Sequence, residues 1–472
     1  MMTRRQFVAS AALAAAPPAR RLNLVIATFD QLRYDSLGCT GNPVIQTPVV
    51  DALAARGVLF MNNFCQTPQC VPSRMSIHTG RYPHTHRTLT NSYRIADDEP
   101  TLARILGAAG YRTIVTGERP FAPRDQMAGF QRRLEAAPGK EHHSLLAKHG
   151  WAAPNLSPDR AARIAEFKRL HDTRYQASAV PWPEELDESK YFSDLAIDFL
   201  EEKSDRPYFL HLSYRRPHHP FDPPAPYDSM YTGARFPETK KKAGEMNNKP
   251  PGQLKATRSL AGFDPSAISP SDLDLIKSFY YGMITLTDKH LGRVLGKVNF
   301  ADTLVVFTSD HGEMLGDHGL LLKGGYMYDQ VVHTPLIFAG AGLPEGRRAG
   351  ALTESVDIAP TVAEILGLSP LPYAQGKPLT ALIKNPKARH KQAVHAEFPT
   401  LKMVRTESHK LVHYPGAPYG ELYDLRRDPN EFDNVYGDAS QAEARSQMYQ
   451  HLSDWLLASQ DPMRAPVQDP AK

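Results

Sequence analysis

Residues 22–30 read LNLVIATFD, an almost unbroken apolar run that closes on an acid. A run of this length without polar alternation is expected of a central strand covered on both faces. Asp30 then falls at the strand's C-terminal end, the edge of an open α/β sheet where ligands bind. The pattern recurs at residues 288–310, where DKHLGRVLGKVNFAD leads as a helix into the strand TLVVFTSD, which ends in Asp310. Residues 47–65, TPVVDALAARGVLFMNNFC, read as a helix with Thr47 as cap and Gly57 as stop, followed by a strand. EPTLARILGAAGYRTIVTGE at 99–118 repeats the scheme, and TPLIFAGAG at 334–342 supplies another buried strand. Two acids more than 250 residues apart are therefore expected on one edge of one sheet.

Beyond residue 375 the texture changes. AVHAEF, LKMVRTESHKLVHY and GELYDLRRDPNEFDNV are short alternating runs joined by turns, followed by a helix near 440–458. They predict a small antiparallel sheet with a packed helix. The expected organisation is an export signal at 1–20, a catalytic domain at 21–374 and a smaller C-terminal α+β domain at 375–472.

With 472 residues, 22% charged, 41% apolar and a formal net charge of only +4, the chain is globular and lacks the basic footprint of a nucleic-acid binder. Its 40 prolines cluster in RRPHHPFDPPAPYD and FPETKKKAGEMNNKPPGQ, which read as long ordered loops. The start, MMTRRQFVASAALAAAPPAR, pairs Arg4 with Arg5 ahead of a short alanine-rich run ending in small residues. That is the pattern of a twin-arginine export signal. The run falls well short of the roughly 20 residues a spanning helix needs, so no stable membrane anchor is expected. The three cysteines, Cys39, Cys65 and Cys70, are an odd number and do not indicate a disulfide framework, although Cys39 with Cys65 is an available pair. Cys70 is left over.

Cys70 opens the segment Cys70-Val71-Pro72-Ser73-Arg74. This segment resembles the CxPSR signature of the formylglycine-dependent sulfatases in the alkaline-phosphatase-like superfamily. Further stretches in the family's order carry the resemblance along nearly the whole chain: FDQLRYDSLG, TGRYPH, PHHPF, TSDHGEMLGDHG, LLLKGGYMYDQ, SVDIAPT, MVRTESHKLVHY and ELYDLRRDPNE. The resemblance implies a large mixed β-sheet flanked by helices, with a smaller C-terminal domain of antiparallel sheet plus helix. It also implies that a formylglycine-generating enzyme oxidises Cys70 to an aldehyde whose hydrate is a geminal diol. One hydroxyl attacks sulfur; the second loses its proton, the diol collapses to the aldehyde, and sulfate leaves.

By the same resemblance, Asp30, Gln31, Asp310 and His311, with the residue-70 side chain, hold a divalent metal. Gln31 stands where many relatives carry a second aspartate. Its amide oxygen can ligate Ca2+, and the donor set is also acceptable to Mn2+ or Mg2+. Arg74 sits by the aldehyde, while His218 and Lys323 flank the leaving oxygen and the sulfate. Ser73 and His219 receive no catalytic role, His78 and His84 support the helix behind residue 70, and His318 helps form the pocket. One departure stands out: relatives commonly carry a lysine where this chain has Glu118 in Thr116-Gly117-Glu118-Arg119-Pro120. Either Arg119 replaces that cation at the substrate, or Glu118 faces an amine or hydroxyl of an unusual substrate.

The expected activity is hydrolysis of sulfate monoesters on a sulfated sugar or glycan in the periplasm or outside the cell. One alternative is phosphonate monoester or phosphodiester hydrolysis, because relatives with an Asp-Gln pair also use formylglycine for phosphorus chemistry. Another is a catalytically impaired relative that binds sulfated glycans. Twin-arginine substrates cross the membrane folded, so oxidation of Cys70 is expected before export.

Overall fold

The computed structural model describes residues 21–117, 121, 126–135, 141–152, 157–173, 177–253, 255 and 268–460. The expected export signal, Glu118 and Arg119 lie outside the described residues.

Eight strands form the large sheet: β1 (Asn23–Phe29), β2 (Gly57–Phe64), β3 (Arg112–Gly117), β4 (Arg132–Arg133), β5 (Tyr208–Tyr214), β6 (Thr303–Ser309), β7 (His333–Gly340) and β8 (Arg347–Glu354). Their order is β4-β3-β5-β1-β6-β7-β2-β8. All adjacent pairs are parallel except the two made by β7, which runs antiparallel to β6 and β2. β1 is central, paired to β5 on one side and β6 on the other. Both faces are covered, as its continuous apolar run requires. Val25, Ala27 and Phe29 pack in one core with Ile276, Tyr280 and Ile284 of the helix Pro270–Leu295. Leu24 and Ile26 pack in the other, with Met75 and Ile77 of the helix Cys70–Thr79 and Ile358 and Val362 of the helix Ile358–Ile365.

The C-terminal sheet contains β9 (Val394–Phe398), β10 (Leu401–Arg405), β11 (His409–His413) and β12 (Gly420–Asp424), in the order β12-β11-β10-β9 and antiparallel throughout. The helix Ala442–Ala458 covers one face through Met448, Leu452 and Trp455. The segment after residue 374 first contributes Leu379, Leu382 and Ile383 to the large-sheet core, so chain texture and packing change at different places. Among the described residues no helix is long and apolar enough to cross a membrane.

Two local expectations differ from the structure. Thr47 precedes the helix Pro48–Ala55 but does not cap it, because its hydroxyl accepts from the Gly38 N–H and donates to Asp51. Asp288 caps this helix instead, its carboxylate accepting the N–H groups of Val49 and Val50 at 3.0 and 2.8 Å. Cys39 and Cys65 are both free thiols. Cys65 packs with Phe64 and Met314, and Cys39 packs against a different core, so the available pair is not used.

The small sheet is tied by charge to the short helix Asp329–Val332 that leads into β7. Lys410, fully buried on β11, reaches Asp329 and Glu431 at 2.5 Å each. Burial pushes the Asp329 carboxyl up, but Arg405 and Lys410 outweigh it and hold that carboxyl well below the usual carboxylate range. Replacing Lys410 by methionine leaves the buried Glu431 carboxylate without its cation and Asp329 with Arg405 alone, so Lys410→Met is expected to cost about 3–5 kcal/mol. The readout is a lower urea midpoint at unchanged slope. The Asp329 contribution is present above its unfolded pKa of about 4 and lost as the pH falls toward its lower folded value. The stability gap between wild type and Lys410→Met should therefore narrow below about pH 4; a gap that widens on acidification contradicts this.

Candidate active site

The register of β1 with β6 aligns Phe29 with Ser309, so the next residues of two parallel strands, Asp30 and Asp310, leave the sheet side by side. Ser309 fastens this edge. Its hydroxyl oxygen lies 2.8 Å from the carbonyls of both Phe29 and His311, between which its single hydrogen is shared, and accepts from the Leu32 N–H at 3.0 Å. Asp310 Oδ1 accepts the backbone N–H groups of His311 and Gln31 at 2.9 and 3.1 Å.

Cys70 begins the helix Cys70–Thr79, and its Sγ lies 3.2 Å from His311 Nε2 and 3.7 Å from Asp30 Oδ1. One turn later Arg74 returns to the same point, with Nη2 2.5 Å from Asp30 Oδ2 and 3.0 Å from Asp310 Oδ2. Ser73 donates to the Asp310 carbonyl at 2.5 Å and so locks the helix onto the strand end. The structure thus brings together Asp30, Gln31, Cys70, Arg74, Asp310 and His311, all buried.

The donor set suits a divalent cation. One ligand atom each from Asp30, Cys70, Asp310 and His311 lies within 4.8 Å of all the others. His311 donates from Nδ1 to the Gly312 carbonyl at 3.0 Å, which leaves the Nε2 lone pair facing the cluster. Burial and the Asp310 charge push the Asp30 carboxyl up, the mark of two close carboxylates short of positive charge. Burial acts the same way on Asp310, but His311 and Arg74 outweigh it and hold its carboxyl low. The Cys70 thiol is pushed up to about 12 by burial and by Asp30, so it is not ionised at neutral pH.

Gln31 adopts a left-handed backbone, φ 68°. Its Oε1 accepts from Lys323 Nζ, and its Nε2 donates to Glu313 Oε2. The carboxamide therefore couples Lys323 to Glu313, while the Gln31 backbone N–H meets Asp310. His219, given no role from the sequence, lies 3.5 Å from Gln31 Nε2 and stacks on His218 with ring centroids 4.0 Å apart. His218 is half-buried, and its Nδ1 contacts the His219 carbonyl, which makes Nε2 the nitrogen open to other groups. Burial and then Lys323 push its imidazole well below the usual histidine range.

The supporting groups were not picked out from the sequence. Glu313 is fully buried and accepts the N–H groups of Leu315 and Leu322. Tyr280 donates to the Gln31 carbonyl at 2.7 Å and accepts from the Arg33 N–H at 3.0 Å. Arg33 pairs with Asp35 and Asp317 and donates to the carbonyls of Glu313 and Met314. Gly312 is required by close approach, since a Cβ there would lie 2.0 Å from the Gln330 carbonyl oxygen. The only sequence signal for Arg33, Asp35, Gly312, Glu313 and Asp317 was their place inside FDQLRYDSLG and TSDHGEMLGDHG, and Tyr280, in the helix Pro270–Leu295, carried none.

The remaining histidines lie apart from the cluster. His78, behind the Cys70 helix, contacts His211 at 3.2 Å and packs against Phe121 and Phe130. His84 joins Glu397 at 2.7 Å and Ser459 Oγ at 2.9 Å. His318 has a fully buried side chain, pairs with Glu245 at 2.9 Å and stacks on Tyr328, so it braces loops instead of facing a pocket.

A family model described as sulfatase matches residues 22–368, and a second, described as N-sulphoglucosamine sulphohydrolase, C-terminal, matches residues 316–457. The chain is 28% identical to the multifunctional alkaline phosphatase superfamily protein PehA of Trinickia caryophylli, over 93% of this chain and 96% of that one. It is 29% identical to an arylsulfatase of Clostridium perfringens, over 88% and 90%. Among solved structures, a phosphonate monoester hydrolase of Agrobacterium radiobacter superimposes with a TM-score of 0.78 at 28% identity, covering 94% of this chain and 97% of that one.

Removing a direct ligand should weaken metal binding more than disturbing a supporting group. Titration of metal-stripped protein with Ca2+ or Mn2+ by calorimetry should show Glu313→Gln weakened by about 10–100-fold and Asp310→Asn by more. Undiminished affinity in Asp310→Asn would refute the ligand set.

Proposed function

The chain belongs to the sulfatase family of sulfuric ester hydrolases, and from that premise we propose that it cleaves sulfate monoesters on a sulfated sugar or glycan with a nucleophile made from Cys70. The observation that carries the proposal is the position of Cys70 Sγ, 3.2 Å from His311 and within reach of Asp30, with Arg74 joining Asp30 to Asp310. A thiol pushed up to about 12 is a poor nucleophile at neutral pH, so the buried side chain gains from conversion to formylglycine. Its hydrate would supply one hydroxyl to attack sulfur and a second whose loss of a proton releases sulfate.

Asp30, Asp310, His311 and residue 70 would hold the divalent metal, with Gln31 Oε1 adjoining; bound there, the ion neutralises charge building on the ester oxygens. Ca2+ suits the oxygen donors best, and Mn2+ or Mg2+ also tolerate the imidazole. Arg74 stabilises the ionised form of the residue-70 hydroxyl. Lys323, held by Gln31, meets the anionic ester and protonates the departing oxygen. His218 is unprotonated at neutral pH because burial and Lys323 disfavour its charged form, which fits it to accept the proton lost in sulfate release. Arg119 is assigned to substrate contact on the sequence pattern alone. His318, buried against Tyr328, acts on the pocket only through the loops it braces.

Phosphonate monoester or phosphodiester hydrolysis is the second reading, favoured by the Asp30-Gln31 pair and by the likeness to a phosphonate monoester hydrolase. Such esters share the single negative charge and tetrahedral centre of a sulfate monoester, so the same cluster can accept them. The paired Arg4 and Arg5 and the alanine-rich run support export to the periplasm or beyond, where sulfated polymers lie, after oxidation of Cys70 in the cytoplasm.

Protein co-expressed with a formylglycine-generating enzyme should carry an aldehyde in the residue-70 peptide by mass spectrometry and hydrolyse 4-nitrophenyl sulfate. Cys70→Ala should lose at least about 10³-fold in kcat. Turnover confined to bis(4-nitrophenyl) phosphate or a phenylphosphonate ester would replace the first reading with the second.

A further inference from the structure

An open cavity of about 410 Å³ lies between the turn after the helix Pro83–His86 and the β9–β10 hairpin, lined by His84, Arg87, Tyr93, Glu397, Phe398 and Lys402 among others. Its two walls lead to the segments that carry Cys70 and Lys323. On one side the chain runs from Arg87 to Asn91, whose Oδ1 accepts the N–H of Val71, the residue after Cys70, at 3.0 Å. On the other, the Phe398 ring lies 3.9 Å from where a Cβ of Gly325 would stand, two residues beyond Lys323.

The charges are unequal. Glu397 is buried, and its carboxylate is fully engaged, accepting the His84 backbone and Nδ1 hydrogens at 2.8 and 2.7 Å and pairing with Lys402. Burial raises the Glu397 carboxyl, but His84 and Lys402 outweigh that and keep it ionised and neutralised. Arg87 is exposed, and its guanidinium has no ion-pair or hydrogen-bond partner among the described residues. Its backbone is left-handed, φ 61°, as the residue closing the helix Pro83–His86. Tyr93, 48% exposed, offers an aromatic ring on the same lining. An unpaired guanidinium beside open aromatic surface is suited to a ring-shaped, anionic ligand.

We propose that this cavity is a subsite for the sugar unit attached to the sulfated one, with Arg87 binding a second anionic group on that unit and Tyr93 lying against its ring. The inference rests on the sulfatase reading of the adjoining centre. It narrows the substrate from any sulfate ester to an anionic oligosaccharide carrying either a uronate carboxylate or a further sulfate.

The test compares four sulfate esters on wild type, Arg87→Ala, Arg87→Lys and Tyr93→Ala. They are 4-nitrophenyl sulfate, a singly sulfated neutral disaccharide, a sulfated uronate-containing disaccharide and a disulfated disaccharide. Arg87→Ala should raise KM about tenfold or more for at least one anionic disaccharide, with little change in kcat. It should leave 4-nitrophenyl sulfate and the neutral disaccharide within about twofold. Arg87→Lys should recover part of the loss, and Tyr93→Ala should weaken all the disaccharides but not the aryl ester. The arm that responds identifies the carboxylate or the sulfate as the anion.

Calorimetric binding of the same disaccharides to Cys70→Ala and to Cys70→Ala/Arg87→Ala decides the subsite without turnover. Wild type inactive on every sulfate ester would remove the sulfatase reading, while Arg87-dependent binding would still uphold the subsite. Binding that is absent, or equal in the two variants, would overturn it, as would equal losses on the aryl ester and the disaccharides.

Discussion

Two carboxylates forced together at the end of adjacent parallel strands are the constraint around which the molecule is arranged. Once β1 and β6 pair with Phe29 opposite Ser309, Asp30 and Asp310 are neighbours in a site with almost no access to water. Like charges at such a place repel at low effective dielectric, and each is costly to desolvate. Positive groups must converge there, and they do: Arg74 bridges both acids, and Lys323 adds to the field that each carboxylate experiences. The same convergence brings in residue 70, because Arg74 lies one turn along the same helix.

A second layer holds these groups in place by using up its own hydrogen-bonding capacity. Glu313 meets two backbone N–H groups and the Gln31 amide, Tyr280 bridges Gln31 and Arg33, and Arg33 binds two carbonyls and two carboxylates. A buried polar network with its members partnered is rigid, whereas a partly satisfied one is a source of disorder. Gln31 is the joint between the layers. A neutral amide there accepts from Lys323 and donates to Glu313 at once, which a second carboxylate could do only by taking up a proton.

Much of this was legible along the chain because burial leaves local marks. LNLVIATFD and TLVVFTSD announced central strands, and β1 and β6 lie side by side in the middle of the sheet. The change of texture after residue 375 announced the antiparallel sheet and its covering helix. Where local marks misled, a distant partner had intervened. Thr47 sits in a cap position, yet Asp288 from a helix far along the chain does the capping. His318 lies within a motif dense with charged groups, yet Glu245 and Tyr328 claim its ring.

The sequence by itself determined which segments are buried, which acids stand at strand ends, and which four residues follow Cys70 in its motif, since hydrophobic periodicity and motif spacing are properties of neighbouring positions. The tertiary structure alone decided which polar atoms meet. Gln31 with Lys323, Arg33 with Asp317, Lys410 with Asp329 and Glu431, and the wall that Phe398 forms near Gly325 all join residues remote in the chain. A hydrogen bond depends on ångström-scale distance and direction, and these are fixed only when strands pair in register and helices settle on the sheet.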